Sequence, residues 1–313
     1  MNYLGISNFK REQMFIQRLE ETKAPIWKFL LIPVLFFALM VYNFWVTINS
    51  PVDTATAMKQ MIEMLGSTTT LFVILLPLVL GFWILLVYGI LVLKLPVVKQ
   101  FTGRHKIDWG RVGFSFFIWS MVVLVSVLAE YQLAPEQFVV QIDFSTFLPF
   151  LIVALVMIPF QTSFEELMFR GHLTQSIGFF SKRRLWSLVI PSVLFGLMHI
   201  ANPEVEKLGY GILAYYIGSG FFFGVMTLAD EGIELALGTH AANNLIGALL
   251  VSADWTAFNV PSVLKDVSEP SFGIDALLPL LVVYPLILYV FSKKYQWKNT
   301  KQKLFGSTDN DAF

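Results

Sequence analysis

Long apolar stretches of membrane-spanning length dominate this chain of 313 residues. A transmembrane helix needs about 20 mostly apolar residues to cross a hydrocarbon core of about 30 Å. We count eight such stretches in the sequence. Hydrophobic residues make up 56% of the chain and charged residues only 14%, a balance unsuited to the surface of a soluble protein. The sequence therefore predicts an all-α, polytopic membrane protein, a bundle of about eight transmembrane helices.

The predicted spans divide the chain into five parts. The spans are 27–48, 70–93, 112–133, 147–174, 185–201, 209–229, 232–252 and 274–292. The parts are an N-terminal cytoplasmic segment that could form a helix on the membrane surface (1–26), three spans with their loops (27–146), a four-helix core (147–252), an external loop with the last span (253–292), and a cytoplasmic tail (293–313).

Lys and Arg residues divide unevenly between alternate loops. Eighteen of the 22 lie in the N-terminal segment or just after it (Lys28), in the loops after the second and fourth spans, and in the tail. The remaining loops contain only Lys59, Lys207 and Lys265, while Arg170 lies inside a predicted span. Because cytoplasmic loops carry the excess of Lys and Arg, we expect both termini in the cytoplasm and an even number of spans.

Three short polar clusters interrupt the later spans. They are Glu165-Glu166-Leu-Met-Phe-Arg170, Phe195-Gly-Leu-Met-His199 and His240-Ala-Ala-Asn-Asn244. An ionisable group inside a membrane helix costs roughly 2.5 to 3.5 kcal/mol on insertion scales, so such groups mark functional sites by default. The clusters are therefore the candidate site.

The three clusters are predicted to lie at similar depth in the membrane. Spans four and five turn near Lys182, with Glu165 17 residues before that position and His199 17 residues after it. His240 follows the next cytoplasmic turn, near Asp230, by ten residues, or roughly 15 Å of helix. All three clusters can therefore meet in the cytoplasmic half of the bilayer or near its middle.

Spacing within the first cluster separates its two carboxylates. Residues four apart share a helix face, so Glu166 and Arg170 can form an ion pair. Glu165 lies about 100° around the helix from Glu166 and is left for another role. The pair could equally be a structural clamp with no part in chemistry.

The other two clusters have the same four-residue spacing. Phe195 lies over His199, and His240 lies over Asn244, on one helix face in each case. Taken singly, each imidazole could be a hydrogen-bonded packing residue, and Asn244 could join helices. The common depth of the clusters favours a catalytic constellation.

The ordered motifs EExxxR, FxxxH and HxxxN on successive apolar segments resemble the CPBP family of CAAX proteases and bacteriocin-processing proteins, also called Abi. The resemblance covers roughly 147–252, which it implies is a catalytic core. It implies an intramembrane endopeptidase in an eight-helix bundle, acting on a membrane-anchored protein or peptide of the CAAX or bacteriocin-precursor type. Eukaryotic members remove the three C-terminal residues of prenylated proteins.

The resemblance also implies roles for individual residues. Glu165 would activate a water together with His199, while His240 and Asn244 would hold the oxyanion of the tetrahedral intermediate. Glu166, Arg170 and Phe195 would support these groups.

A metal is the main mechanistic alternative. Glu165, His199 and His240 could supply the three protein ligands of a catalytic zinc ion. The HExxH pattern of helical zinc proteases is absent. We favour a glutamate-dependent mechanism in which the carboxylate is the general base and His and Asn assist.

Other functions are also compatible with the sequence. A catalytically inactive immunity or regulatory membrane protein could have the same fold, and an ion or proton transporter also uses intramembrane carboxylates. Ser219 with His240 superficially resembles a rhomboid dyad, but Ile217 breaks the GxSG pattern. The absence of Cys excludes disulfides and a cysteine nucleophile.

The expected surroundings follow from the same patterns. We expect membrane lipids and a membrane-anchored protein or peptide substrate as partners, and no nucleic acid, because the basic loops are explained by topology. No organelle-targeting pattern precedes the first span, which favours a multi-pass protein of a bacterial plasma membrane.

Overall fold

The computed structural model describes residues 14–22, 24–273 and 277–308, and within these ranges the chain is a helical, multi-pass membrane protein. The α-helices are α1 (Ile26–Ile48), α2 (Thr54–Leu65), α3 (Ser67–Leu91), α4 (Val97–Phe101), α5 (Trp109–Leu133), α6 (Phe144–Glu166), α7 (Thr174–Ser181), α8 (Arg184–Leu197), α9 (Pro203–Leu208), α10 (Leu213–Asp230), α11 (Glu234–Leu250), α12 (Tyr284–Lys294) and α13 (Thr300–Phe305). Two π-helices, Leu167–Leu173 and Pro279–Val283, precede α7 and α12. The strands are β1 (Phe138–Val140), β2 (Val251–Ala253) and β3 (Leu264–Asp266).

Five helical segments in the described ranges are long and apolar enough to cross a membrane. They are Ile26–Ile48, Ser67–Leu91, Trp109–Leu133, Phe144–Ser181 and Tyr210–Asp230. Many of their large apolar side chains are exposed on the outside of the protein, Leu133 to 86%. Contact with lipid, which does not penalise exposed apolar surface, accounts for this pattern.

The described helices include five candidate spans, where the sequence predicted about eight. α8 has only 14 residues, because the chain turns at Met198 instead of continuing to residue 201. α11 has 17 residues and is followed directly by β2. The last predicted span includes 274–276, which lie outside the described residues. The sequence overestimates the number of spans because hydropathy does not show where a short helix packed inside the protein ends.

A three-stranded sheet joins two segments that the sequence analysis assigned to loops, β1 and β3, with the end of the predicted span 232–252, where β2 begins. β3 lies in the middle, antiparallel to β1 and parallel to β2. The Gln141 side chain donates to the hydroxyls of Ser252 and Ser262 at 3.1 and 3.0 Å, which ties the chain beyond β1 to the other two strands. The sheet thus closes one end of the helical bundle next to α11.

The N-terminal segment packs into the protein where it is described. Phe15–Thr22 form a 3-10 helix, and Phe15, Ile16 and Leu19 are buried among apolar residues of the bundle. Contacts with the bundle bury these three side chains, and a membrane-surface position for the segment stays a prediction. Residues 1–13 and 23 lie outside the described residues.

The turn between α10 and α11 contains no Lys or Arg, and the acidic residues beside it pair with arginines from another part of the chain. Asp230 pairs with Arg104 at 2.7 Å and with Arg111 at 3.2 Å. Glu234 pairs with the same Arg104 at 3.1 Å. Because a buried carboxylate is costly unless it is paired, these bridges hold the start of α11 against the loop before α5. This fixes the helix that carries the third cluster.

Candidate functional site

The first and third clusters meet at one carboxylate oxygen. Glu166 Oε1 accepts a hydrogen bond from Arg170 at 3.1 Å and lies 2.7 Å from His240 Nδ1. Glu166 and Arg170 are at most 1% exposed, so the charges are compensated inside the protein and not by solvent. Because an ionised carboxylate only accepts, His240 Nδ1 carries a proton in this arrangement, and Nε2 is directed elsewhere.

Arg170 also connects three helices. It lies within the π-helix Leu167–Leu173, an insertion that often marks functional positions in helices. Its second guanidinium nitrogen donates to the Gly220 carbonyl of α10 at 3.2 Å, and its guanidinium carbon lies 4.1 Å from the centre of the Phe195 ring of α8. The Glu166–Arg170 pair is therefore also a clamp between helices.

Glu165 points at the opposite edge of His240. Its Oε1 accepts from the Gln161 side chain, and its Oε2 lies 3.5 Å from His240 Nε2 with no hydrogen-bond donor in the described part of the chain. If His240 is neutral and Nδ1 carries its proton, two acceptors face each other across this gap. A proton on either group, or a donor such as water, resolves that conflict. The gap between Glu165 and His240 is thus suited to holding or moving a proton.

A chain of side-chain amides leads to the other oxygen of Glu165. Trp119 Nε1 donates to Asn243 Oδ1 at 3.1 Å, and Asn243 Nδ2 donates to Asn244 Oδ1 at 3.1 Å. Asn244 Nδ2 then donates to Gln161 Oε1 at 3.3 Å, and Gln161 Nε2 donates to Glu165. Every donor points the same way along the chain, so each bond polarises the next toward the carboxylate.

His199 lies at the edge of this arrangement. It follows the end of α8, where its Nδ1 lies 2.9 Å from the Phe195 carbonyl and its ring stacks on Tyr216 with centroids 4.3 Å apart. The Phe195 ring contacts both imidazoles, 5.2 Å from His199 and 5.8 Å from His240 between centroids. The contacts of the described chain connect His199 to the acidic pair through Phe195 and not directly.

The described residues do not assemble the alternative metal site. A catalytic zinc ion needs three protein ligands around one point. In the part of the chain that the structure describes, no group of three or more His, Asp or Glu side chains is placed to hold a metal ion. The set Glu165, His199 and His240 is accordingly not gathered as a ligand set, and no chemical step is derived through a metal.

The rhomboid-like alternative is also unsupported by geometry. Ser219 donates to the Tyr215 carbonyl at 3.0 Å and shares a hydrogen bond with the Tyr284 hydroxyl at 2.8 Å. A serine nucleophile needs a base within hydrogen-bonding distance. Ser219 instead serves helix packing.

Sequence reasoning missed two members of the site. Gln161 precedes Glu165 by four residues on α6, and a polar residue one turn before an intramembrane carboxylate was an available signal. Trp119 lies on α5, far from the motifs, and an indole among apolar residues gives no sign of its partner. Only the packing of α5 against α11 brings it to Asn243.

The part of the chain that contains the three clusters matches a known protein family. Residues 144–246 match the family model described as "Type II CAAX prenyl endopeptidase Rce1-like". This segment is similar to the Rce1-like family, and we refer to it as the Rce1-like segment. The Rce1-like segment contains all three polar clusters and Gln161, whereas Trp119 lies before it.

One curated relative is similar over a longer stretch. A Bacillus subtilis (strain 168) protein described as "Uncharacterized protein YyaK" is 32% identical over 174 residues, which cover 55% of this chain. The matched part amounts to 58% of the length of that relative. No solved structure matches the chain. The apolar helices and the family match together support a multi-pass membrane protein, and the matched segment is similar to a CAAX-type protease fold.

Proposed function

We propose that this protein is an intramembrane endopeptidase that hydrolyses a peptide bond of a membrane-associated protein or peptide. The observation that carries the proposal is the buried acidic pair in which Arg170 and His240 both contact Oε1 of Glu166, while Oε2 of Glu165 lies 3.5 Å from His240 Nε2 and has no hydrogen-bond donor among the described residues. Oε2 of Glu166 also lacks a donor there, and unsatisfied carboxylate oxygens in a buried site call for a functional explanation. The match to the Rce1-like family supports the same reaction class.

In the proposed mechanism, Glu165 is the general base. It takes a proton from a water whose oxygen attacks the carbonyl carbon of the scissile bond. The oxyanion that forms is stabilised by His240, whose Nε2 donates once both ring nitrogens carry a proton, and by Asn244, with His199 as a further polar group at the site. Glu165 then returns the proton to the leaving nitrogen, the C–N bond breaks, and a carboxylic acid and an amine leave.

The supporting residues position these groups. Arg170 neutralises Glu166, so that Glu166 can hold the imidazole of His240 without adding an unpaired charge to the site. Phe195 separates the two imidazoles and covers the guanidinium. Low local dielectric then strengthens each interaction with the transition state.

The test is a search for cleaved membrane proteins. Membranes from cells that produce the wild-type chain or a Glu165→Gln variant are compared by mass spectrometry of newly formed peptide termini. The proposal expects termini that depend on Glu165, and the variant is expected to retain bound substrates. Identical termini in both samples, together with an unchanged cellular phenotype, would favour the inactive immunity or regulatory protein instead.

Replacing Gln161 by Leu is expected to reduce kcat about 10- to 100-fold. The change removes the donor to Glu165 and the acceptor for Asn244, each worth about 1–3 kcal/mol when left unsatisfied in a buried site. Gln161→Glu is the matched variant, because it keeps the oxygen that accepts the hydrogen bond from Asn244. Steady-state kinetics in bilayer nanodiscs measure the effect. A wild-type kcat for Gln161→Leu would mean that the amide chain does not serve Glu165.

Removing divalent metals is expected to leave the proteolysis intact. The proposed base is a carboxylate placed between Gln161 and His240, and the mechanism assigns no step to a metal. The measurement compares initial rates before and after treatment with a chelator, with a zinc-dependent protease treated in parallel. A rate that falls and is restored by zinc ions would overturn the glutamate-dependent mechanism.

A further inference from the structure

A cavity of about 270 Å³ adjoins the amide chain that leads to Glu165. Asn243 and Asn244 of α11 form part of its wall, and Asn244 connects to Glu165 through Gln161. The cavity is therefore separated from the proposed reacting groups by a single layer of amide side chains. A substrate bound at Glu165 would have neighbouring residues within reach of it.

Two residues of the cavity lining have a buried polar atom without a hydrogen-bond partner among the described residues. They are Glu204, on α9, through Oε2, and Trp255, which follows β2, through Nε1. The other oxygen of Glu204 accepts from the backbone N–H of Ala257 at 2.8 Å, which fixes the direction of the carboxylate. Buried polar groups are normally satisfied, so two such residues in the lining of one cavity indicate a binding site.

The charge of the lining is negative. Glu204 and Asp266 contribute carboxylates, and no Lys or Arg lines the cavity. Among the described residues, Glu204 has no salt-bridge partner, in contrast to Asp230 and Glu234. Burial raises the pKa of Glu204 above its ordinary value, so a cation bound beside it would favour the charged carboxylate. A free C-terminal carboxylate would be repelled here, whereas a cation would be attracted.

We propose that this cavity is a specificity subsite that binds a lysine or arginine side chain of the peptide substrate, close to the scissile bond. The Glu204 carboxylate accepts the charge-assisted hydrogen bond, and the aromatic face of Trp255 is of the kind that packs against cations. The Trp255 Nε1–H is a donor that a cation cannot satisfy, and it is left for a carbonyl oxygen of the substrate backbone. The rest of the lining, with Ala248, Val251 and Phe258, suits the aliphatic stem of such a side chain. The proposal rests on the proposed endopeptidase function.

A binding experiment tests the subsite without requiring catalysis. The full-length Glu165→Gln protein in nanodiscs is titrated with two hexapeptides that differ only in a central lysine or norleucine. We expect the lysine peptide to bind about tenfold more tightly, and Glu204→Gln in the same background to remove that preference. Glu206→Gln, an exposed position on the same helix, is the matched control and should keep it. Equal affinities for the two peptides would overturn the proposal.

A cleavage experiment separates the subsite from the enzyme activity. Wild-type protein is incubated with a defined peptide library that contains basic, neutral and acidic members, and the products are identified by mass spectrometry. We expect lysine or arginine at a fixed distance from the cleaved bond, and Glu204→Lys to invert the preference toward acidic residues. Cleavage without any charge preference, or with the same preference in Glu204→Lys, would refute the subsite while leaving the protease function intact. Absence of cleavage combined with selective lysine binding would refute the protease function alone.

Discussion

Replacing Glu165 by glutamine is expected to reduce proteolysis by about 10²- to 10⁴-fold, the usual contribution of a positioned general base. Glutamine has nearly the same volume and still accepts the hydrogen bond from Gln161, so the fold should persist. It cannot take a proton from water, so the chemical step should fail while substrate binding remains. The measurement is the rate of product formation at saturating substrate, with KM as the indicator of binding.

The matched control is Glu63→Gln, at an exposed position on α2 that lies outside the site. This variant should show the wild-type rate. If Glu165→Gln retains full activity and its thermal unfolding is normal, Glu165 is not the base, and the assignment of roles within the acidic pair is wrong. A variant that loses both activity and thermal stability would instead make Glu165 a structural residue.

Replacing Gly238 by alanine is expected to destabilise the protein by about 1–3 kcal/mol or more, as overpacking in a tight core does. A Cβ at this position would overlap the carbonyl oxygen of Val112 and the hydroxyl of Ser115 on α5. Small residues allow membrane helices this close approach, and α11 must move away if one is enlarged. His240 lies two residues further along α11, so catalysis should fall along with stability.

Gly113→Ala on α5 gives the contrasting result. A Cβ at Gly113 meets no atom within 4 Å, and alanine favours the helix by about 1 kcal/mol relative to glycine. We therefore expect a melting temperature at or above that of the wild type for Gly113→Ala and a lower one for Gly238→Ala. Thermal unfolding in the same detergent compares the two. Equal melting temperatures would show that α5 and α11 are not packed this closely.

The polar positions of the site were available from sequence because they stand out locally. Glu165, His199 and His240 lie in apolar surroundings where ionisable groups are costly, and the four-residue spacing of Glu166 and Arg170 predicted the ion pair that the structure contains. The depth of these residues in the membrane could be estimated from the helix rise per residue alone. These signals depend only on neighbouring residues and on regular helix geometry.

Contacts between residues on different helices could not be predicted from these local signals. The sequence placed His199 beside Glu165 by depth, but the end of α8 at Leu197 leaves His199 in a turn, stacked on Tyr216. Depth along the membrane normal does not determine the rotation of a helix or the point where it ends. Both decide which atoms meet, and both depend on packing against other helices.

By itself, the sequence determined that this is a helical membrane protein with a costly set of buried acids, imidazoles and amides. Hydropathy and helix spacing are local properties, and they are sufficient for that conclusion. Only the tertiary structure decided that Glu166 joins Arg170 to His240, and that Trp119 begins an amide chain ending on Glu165. Hydrogen bonds between helices require atoms to lie about 3 Å apart, a precision that comes from close packing across the whole bundle.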